Sequence, residues 1–311
     1  MSGGLHKPAR IVSLLPSATE IVCALGLGDR LVGRSHECDY PPEIQRLPVC
    51  TSATLDSAAP SGEIDRQVKT LRQQSRPLYQ IDLAKLRELR PDLILTQAQC
   101  EVCAVDLPAV EQAVSQWTGS RPQILSLSPR RIAEVWDEIR RVSAALGEEQ
   151  KGREVLRALK NRCVDVIEKT CAVKHRPSVA CLEWIDPLMA AGNWVPELVD
   201  LAGGGNLFGE PGKPSPMLNW ETFAERDPEV IVIMPCGFDI TRTLRELPAL
   251  ARQAGWARLR AVKKHRVFVT DGNAYFNRPG PRLVESLEIL AELFHPKRFP
   301  AQHHGTGWEQ I

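Results

Sequence analysis

A chain of 311 residues is long enough for two domains that each bury a core of their own. With 39 Lys and Arg against 38 Asp and Glu, the formal net charge is +1, so no global field attracts nucleic acid or an anionic membrane. No apolar run approaches the roughly 18 residues that a membrane helix needs. The opening residues MSGGLHKPARIVSLL contain neither an apolar leader nor a lipid-attachment cysteine, and the nine cysteines are an odd number. Both features lead to the expectation of reduced thiols in the cytoplasm, or of a periplasmic protein if a signal has been removed.

Residues 10–15 read as a short buried strand. Pro16 follows, and then Ser17-Ala18-Thr19-Glu20, the spacing of a capping box that starts a helix ending at Gly26. A strand running into a capped helix is the βα unit of a parallel sheet, and its loop faces the ligand crevice. A second strand at 31–33 ends in Arg34-Ser35-His36-Glu37-Cys38-Asp39-Tyr40-Pro41-Pro42, where the proline pair forbids helix and the loop is dense in donor atoms. Residues 50–62 form a polar loop, and Ile64, Val68 and Leu71 mark one face of a short helix. Asp82 caps the next helix, and a buried strand at 92–96 carries Gln97 to Cys103 at its C-terminal end. A helix near 107–117 and a strand at 123–127 complete a first α/β lobe. Ser128 then reads as the cap of a helix with Pro129 at its first position, closed by Gly147.

In the stretch 148–172, Val155, Leu156, Leu159, Cys163, Val166 and Ile167 recur at helical spacing between Lys, Arg and Glu. About 25 residues at 1.5 Å each make a rod of roughly 37 Å. The segments flanking it resemble each other: 83–100 and 219–236 each read as a helix, a Pro-Asp or Pro-Glu pair, a β-branched strand and a loop with cysteine. The expected architecture is α/β, two Rossmann-like lobes joined by one long helix. Residues 1–128 form the N-terminal lobe, 129–174 the connecting helices and 175–311 the C-terminal lobe. One α/β domain with a long crossover helix is the other reading. The second lobe is expected to carry strands at 178–184, 229–234 and 267–270, and helices at 196–201 and 281–294. Residues 297–311 read as a loose tail, with His303 and His304 solvated. Gly203-Gly204-Gly205 lacks the G-x-G-x-x-G spacing of a dinucleotide site.

By the strand-end rule, the candidate site faces a cleft between the lobes. From the first lobe come His36, Cys38, Asp39, Tyr40, Cys100 and Cys103; from the second come Trp184, Asp186, Trp194, Cys236, Phe238, Tyr275, Phe276 and Arg278. Aromatics are only 5% of the chain, yet several fall in these loops, which suits a large, partly apolar ligand. Cys100-x-x-Cys103 with His36 and Cys38 has the makings of a Cys3His metal shell. The same thiols can instead exchange disulfides or lie inert. Cys23, Cys163, Cys171 and Cys181 read as small core hydrophobes. No Ser-His-Asp or paired-carboxylate arrangement stands out, so hydrolysis has no support in the sequence, and a non-enzymatic binding protein is the leading expectation.

Residues 10–294 resemble the periplasmic vitamin B12-binding proteins of corrinoid ABC importers and the wider class of helical-backbone receptors for iron complexes, haem and metals. The matching residues are Leu15-Pro16-Ser17-Ala18-Thr19-Glu20, Cys38-Asp39-Tyr40-Pro41-Pro42, Leu89-Arg90-Pro91-Asp92-Leu93-Ile94, Leu201-Ala202-Gly203-Gly204-Gly205-Asn206-Leu207-Phe208 and Pro228-Glu229-Val230-Ile231-Val232-Ile233. The resemblance implies a monomeric receptor that holds cobalamin, another corrinoid or a related tetrapyrrole or metal complex in the cleft. Tyr40 and the Trp184–Trp194 and Tyr275–Phe276 loops are its implied walls. It also implies one glutamate on each lobe for docking to a permease. Glu221 fits the second of these, whereas Ala84 stands at the first. The missing signal, Ala84, and a thiol set without counterpart in the importer protein count against an ABC permease as partner. The alternative expectation is a metal- or iron–sulfur-binding protein that uses His36, Cys38, Cys100 and Cys103 for sensing or catalysis.

Overall fold

The computed structural model describes residues 8–97, 107–115 and 121–311. The chain falls into two compact units. The first comprises Met1–Ala59, Arg66–Pro129 and Ala133–Ala158; the second comprises Pro60–Asp65, Arg130–Ile132 and Leu159–Ile311.

The chain runs through β1 (Ile11–Ser13), α1 (Pro16–Ala24), β2 (Leu31–Arg34), β3 (Thr51–Ala53), α2 (Ser61–Gln73), β4 (Tyr79–Ile81), α3 (Leu83–Leu89), β5 (Leu93–Gln97), α4 (Leu107–Ser115), β6 (Gln123–Leu127) and α5 (Ile132–Ala145). The sheet of the first unit has the order β2-β1-β5-β6, and every pairing is parallel. Its central strands β1 and β5 are buried at every position, as both faces of a parallel sheet are covered. Val12, Leu14, Leu86, Ile94 and Val110 share one core, each fully buried. Burial of each such side chain is worth about 1.5–3 kcal/mol.

Three local expectations are corrected here. Helix α1 has no side-chain cap, because Pro16 itself fixes the first turn and puts Ser17 inside the helix. The Ser17 hydroxyl is buried with no hydrogen-bond partner among the described residues. Helix α5 begins at Ile132, three residues past Pro129, and the Ser128 N–H donates to Glu138 Oε1 at 3.0 Å. The loop at 50–62 contains β3, which pairs antiparallel with β4 in a two-stranded ribbon.

The chain passes from the first unit to the second within α6 (Glu149–Cys171), the long helix expected at 148–172. Then come β7 (Ser178–Trp184), β8 (Met189–Ala190), α7 (Val195–Leu201), β9 (Gly205–Asn206), α8 (Trp220–Arg226), β10 (Val230–Ile233), α9 (Ile240–Ala251), α10 (Arg260–Lys263), β11 (Val267–Thr270), α11 (Leu283–Phe294) and β12 (Trp308–Gln310). The second sheet has the order β12-β11-β10-β7-β8, with β9 also on β7. Its centre, β11-β10-β7, is parallel, and its outer strands β12 and β8 are antiparallel.

Residues 297–311 are a built element rather than a loose tail. Strand β12 pairs with β11, and one buried carboxylate, Glu292 on α11, gathers the segment that leads to it. Glu292 accepts from the backbone N–H groups of Gln302 and His303 at 3.2 Å each, from the Trp308 indole at 2.8 Å, and bonds His303 Nδ1 at 2.7 Å. Among the cysteines read as core, Cys181 is buried, Cys23 and Cys163 are half-buried, and Cys171 at the end of α6 is exposed.

Candidate ligand site

In the second unit the C-terminal ends of β7, β10 and β11 deliver the loops that hold the predicted site residues. Trp184 closes β7, and its indole donates to the Asp186 carbonyl at 2.9 Å. Phe238 follows β10, and its ring centroid lies 5.2 Å from that of Trp184, tilted by 57°. Asp239 caps α9 by accepting from the Arg242 backbone N–H at 2.7 Å, which fixes the first turn of that helix. The Arg242 guanidinium lies over Phe238, its central carbon 3.7 Å from the ring centroid. Trp184 and Arg242 therefore both pack against Phe238, which is only 2% exposed.

The loop after β11 approaches the β10 loop closely at Gly272, where a Cβ would run into the backbone of Met234 and Pro235. Asp271 accepts from Asn273 and Ala274 N–H at 3.0 and 2.7 Å. Burial pushes its carboxyl above the ordinary value, and the nearby Asp239 charge adds to that. Arg278 is 7% exposed and donates to Asn273 Oδ1 at 2.9 Å. The Arg282 guanidinium sits 5.5 Å from the ring of Tyr275, which is half-buried. Phe276 is fully buried, and its φ of 64° is a strained value for a residue with a bulky side chain. Ser286 Oγ accepts its N–H at 3.0 Å, and the buried Trp194 indole donates to its carbonyl at 2.6 Å. Trp194 and Phe276, predicted as ligand walls, thus hold the loop from within. Glu183, near the end of β7, accepts from Ser215 Oγ at 2.7 Å, and burial raises its pKa. Asp186 also lines a cavity of about 430 Å³ with Leu188, Leu218, Trp220, Ala249 and Gln253.

In the first unit the strand ends place His36 and Cys38 against different neighbours. His36 Nδ1 lies 2.8 Å from Thr51 Oγ1, and its ring lies 5.6 Å from that of Tyr79. Burial, with the Arg34 charge beside it, lowers its pKa. Cys38 is 1% exposed, takes a bond from Thr19 Oγ1 at 3.1 Å and faces the Ser13 carbonyl at 3.8 Å. The thiol is thus held by Thr19 and Ser13, whereas the imidazole bonds Thr51. Cys100 and Cys103 lie outside the described residues. Among the described residues no group of three or more His, Cys, Asp or Glu side chains is placed to hold a metal ion. Tyr40 is 44% exposed, and Glu221 is exposed in the first turn of α8.

Sequence reasoning passed over Arg242 and Glu183. For Arg242 the signal was present: Asp239 is a cap residue, so three residues on lies a first-turn side chain, four past Phe238.

The sequence matches the periplasmic binding protein family over residues 11–274. It is 25% identical over 299 residues to an uncharacterized ABC transporter substrate-binding lipoprotein of Bacillus subtilis, covering 94% of this chain and 82% of that one. It is 26% identical over 294 residues to a vitamin B12-binding protein of Vibrio cholerae, covering 91% and 89%. The fold is shared with a periplasmic heme binding protein from Pseudomonas aeruginosa, with a TM-score of 0.70 at 23% identity over 95% of each chain. The chain belongs to the periplasmic binding protein family, in its two-lobed, helical-backbone form.

Proposed function

We propose that this chain is the substrate-binding component of an ABC importer and that its ligand is a corrinoid, a haem or a related metal complex. The observation that carries the reading is the cluster at the strand ends of the second sheet, in which Trp184 packs against Phe238 and the Arg242 guanidinium lies over that ring. Flat side chains edged by a cation suit a large planar ligand that is apolar in the middle and polar at its rim. The relatives supply the ligand class: one is a vitamin B12-binding protein, and a protein of the same fold binds heme. Such a receptor makes and breaks no bond, so the site needs shape and donors rather than a nucleophile or a general base.

The family and the lipoprotein relative favour work outside the cytoplasm, and the cytoplasmic expectation finds no support beside them. The same relatives favour an ABC permease as partner, with Glu221 on α8 as the acid offered to it. Nothing among the described residues favours the iron–sulfur alternative.

Absorption titration with hemin, cyanocobalamin and dicyanocobinamide tests the reading. The expected result is a saturable band shift at one equivalent with at least one probe, and a Kd near 1 μM, about −8 kcal/mol. Unchanged spectra with all three overturn it.

A further inference from the structure

We infer that the second unit carries a further binding site, the cavity beside Trp220, and that it takes a small zwitterion with an apolar body, an apolar amino acid or short peptide. The inference goes beyond the tetrapyrrole reading and does not depend on it. The cavity is lined by other side chains than Trp184, Phe238 and Arg242.

Its volume of about 430 Å³ lies within the range of small-molecule sites. The apolar part of its lining is held in place. The Trp220 indole donates to the Ala254 carbonyl at 2.8 Å, and its ring centroid lies 5.2 Å from that of Phe223. Leu250 is 1% exposed, and the Leu218 N–H donates to the Leu188 carbonyl at 2.8 Å. A fixed ring with branched side chains around it suits an aliphatic or aromatic group, and little ordering is needed to receive one.

The polar part consists of Asp186, Arg252 and Gln253. All three are exposed, and among the described residues no hydrogen bond or ion pair engages their side chains. Their backbones are the bonded parts. The Asp186 carbonyl accepts from the Trp184 indole, and the N–H groups of Arg252 and Gln253 close the end of α9 on the carbonyls of Pro248 and Leu250, at 3.2 and 3.0 Å. The guanidinium fork and the neighbouring amide are donors that match a carboxylate, whereas the Asp186 carboxylate matches an ammonium. A molecule with both charges answers both. A simple acid or a simple amine leaves one charge of the cavity unanswered.

Calorimetry on the whole chain tests the site, with L-leucine and L-leucyl-L-leucine as probes. The comparison compounds are 4-methylpentanoate and 3-methylbutylamine, which each keep one of the two charges. Saturable binding of at least one zwitterion is expected, with a Kd below about 1 mM and about tenfold or more tighter than either comparison compound. Arg252→Gln should remove the preference over the amine, and Asp186→Asn the preference over the acid. Both side chains are exposed, so both variants should keep the wild-type Tm. One equivalent of cyanocobalamin should leave zwitterion binding unchanged, whether or not it binds elsewhere. No binding of either zwitterion overturns the assignment, as does an acid or amine that binds as tightly. Preferences that survive both substitutions, or displacement of the zwitterion by cyanocobalamin, overturn it as well.

Discussion

Residues 82–97 in the first unit and 219–233 in the second are built to one plan and part company at the surface. In each, a polar residue caps a seven-residue helix: Asp82 accepts from Lys85 N–H at 2.8 Å, and Asn219 from Thr222 N–H at 3.2 Å. Each helix ends on a non-glycine residue in the left-handed region, Arg90 at φ 45° and Asp227 at φ 41°, followed by proline. An acid then ties down the start of its own sheet. Asp92 accepts from Ala9 and Arg10 N–H at 2.9 and 3.0 Å, and Glu229 from Ser178 N–H at 2.9 Å. An arginine closes each helix end, Arg10 on the Leu89 carbonyl and Arg260 on that of Asp227, both at 2.6 Å. The divergence is outward. Where α3 has exposed Ala84 and an internal Lys85–Glu88 pair at 2.7 Å, α8 shows the exposed Glu221. The repeat teaches that caps, chain reversal and strand anchor are what the scaffold requires, while the outer face is free to differ.

The largest effect is expected where the plan is most strictly shared. Leu86 and Phe223 are the matching inward residues, both fully buried. Leu86→Ala should cost about 2–5 kcal/mol and Phe223→Ala about 3–5 kcal/mol in urea unfolding. Phe223 also loses its ring contacts to Phe208 and Trp220, at 5.7 and 5.2 Å. A loss below about 1 kcal/mol at either site breaks the equivalence.

The anchoring acid comes next. Burial pushes Glu229 up, but the Ser178 N–H, His175 and Arg260 outweigh it and hold the carboxyl below its ordinary 4.5. A depressed carboxyl contributes stability above its unfolded pKa and loses it as pH falls through the folded value. Glu229→Gln should therefore cost about 1.5 kcal/mol at neutral pH and flatten the loss of Tm below pH 4.5. An acid limb identical to wild type contradicts the anchor.

Much of this plan is legible in the chain, because each step has a local residue behind it: Asp82 as cap, Pro91 and Pro228 as stops, and Val230–Ile233 as an unbroken apolar run. The spacing of Leu156, Leu159, Val166 and their neighbours likewise marks α6. What escaped depends on partners far away in sequence. Strand β12 exists because Glu292 collects its approach, and β3 because Tyr79–Ile81 lies opposite. In the site, Trp184 and Phe238 were visible as aromatics in loops, whereas the helix that carries Arg242 was marked only by its cap residue Asp239. Pro248 interrupts its pattern, and proline inside a helix reads as a stop. The burial of Cys38 against Thr19 was not legible either, since that packing leaves no trace in spacing.

A smaller effect separates the units at their sheet edges, where, among the described residues, only the second sheet ends on an antiparallel strand. The hydrogen bond from Glu292 raises the His303 pKa above 6.5 against the opposing pull of burial, with Glu288 and Glu285 adding to it. A raised imidazole contributes fully below its unfolded pKa and loses that contribution as pH rises through the folded one. His303→Gln should cost about 1 kcal/mol at pH 6 and much less at pH 9, where the wild-type ring is neutral as well. Equal costs at both pH values remove the ion pair from the account. The smallest effect is expected from Ala84→Glu, which gives α3 the acid that α8 has. An acid in an exposed first turn should add about 0.3–0.5 kcal/mol, read as a slight rise in Tm.

The central claim, that ligand meets the strand ends of the second sheet, is tested most directly by calorimetry on two tryptophan variants with the probe that binds best. Trp184→Ala removes the ring that packs on Phe238, whereas Trp256→Ala removes a half-buried ring that packs 6.3 Å from Trp220. Trp184→Ala should weaken binding by about 1–3 kcal/mol and Trp256→Ala by less than about 0.5 kcal/mol. Equal affinity for the Trp184→Ala variant and wild type would contradict the account.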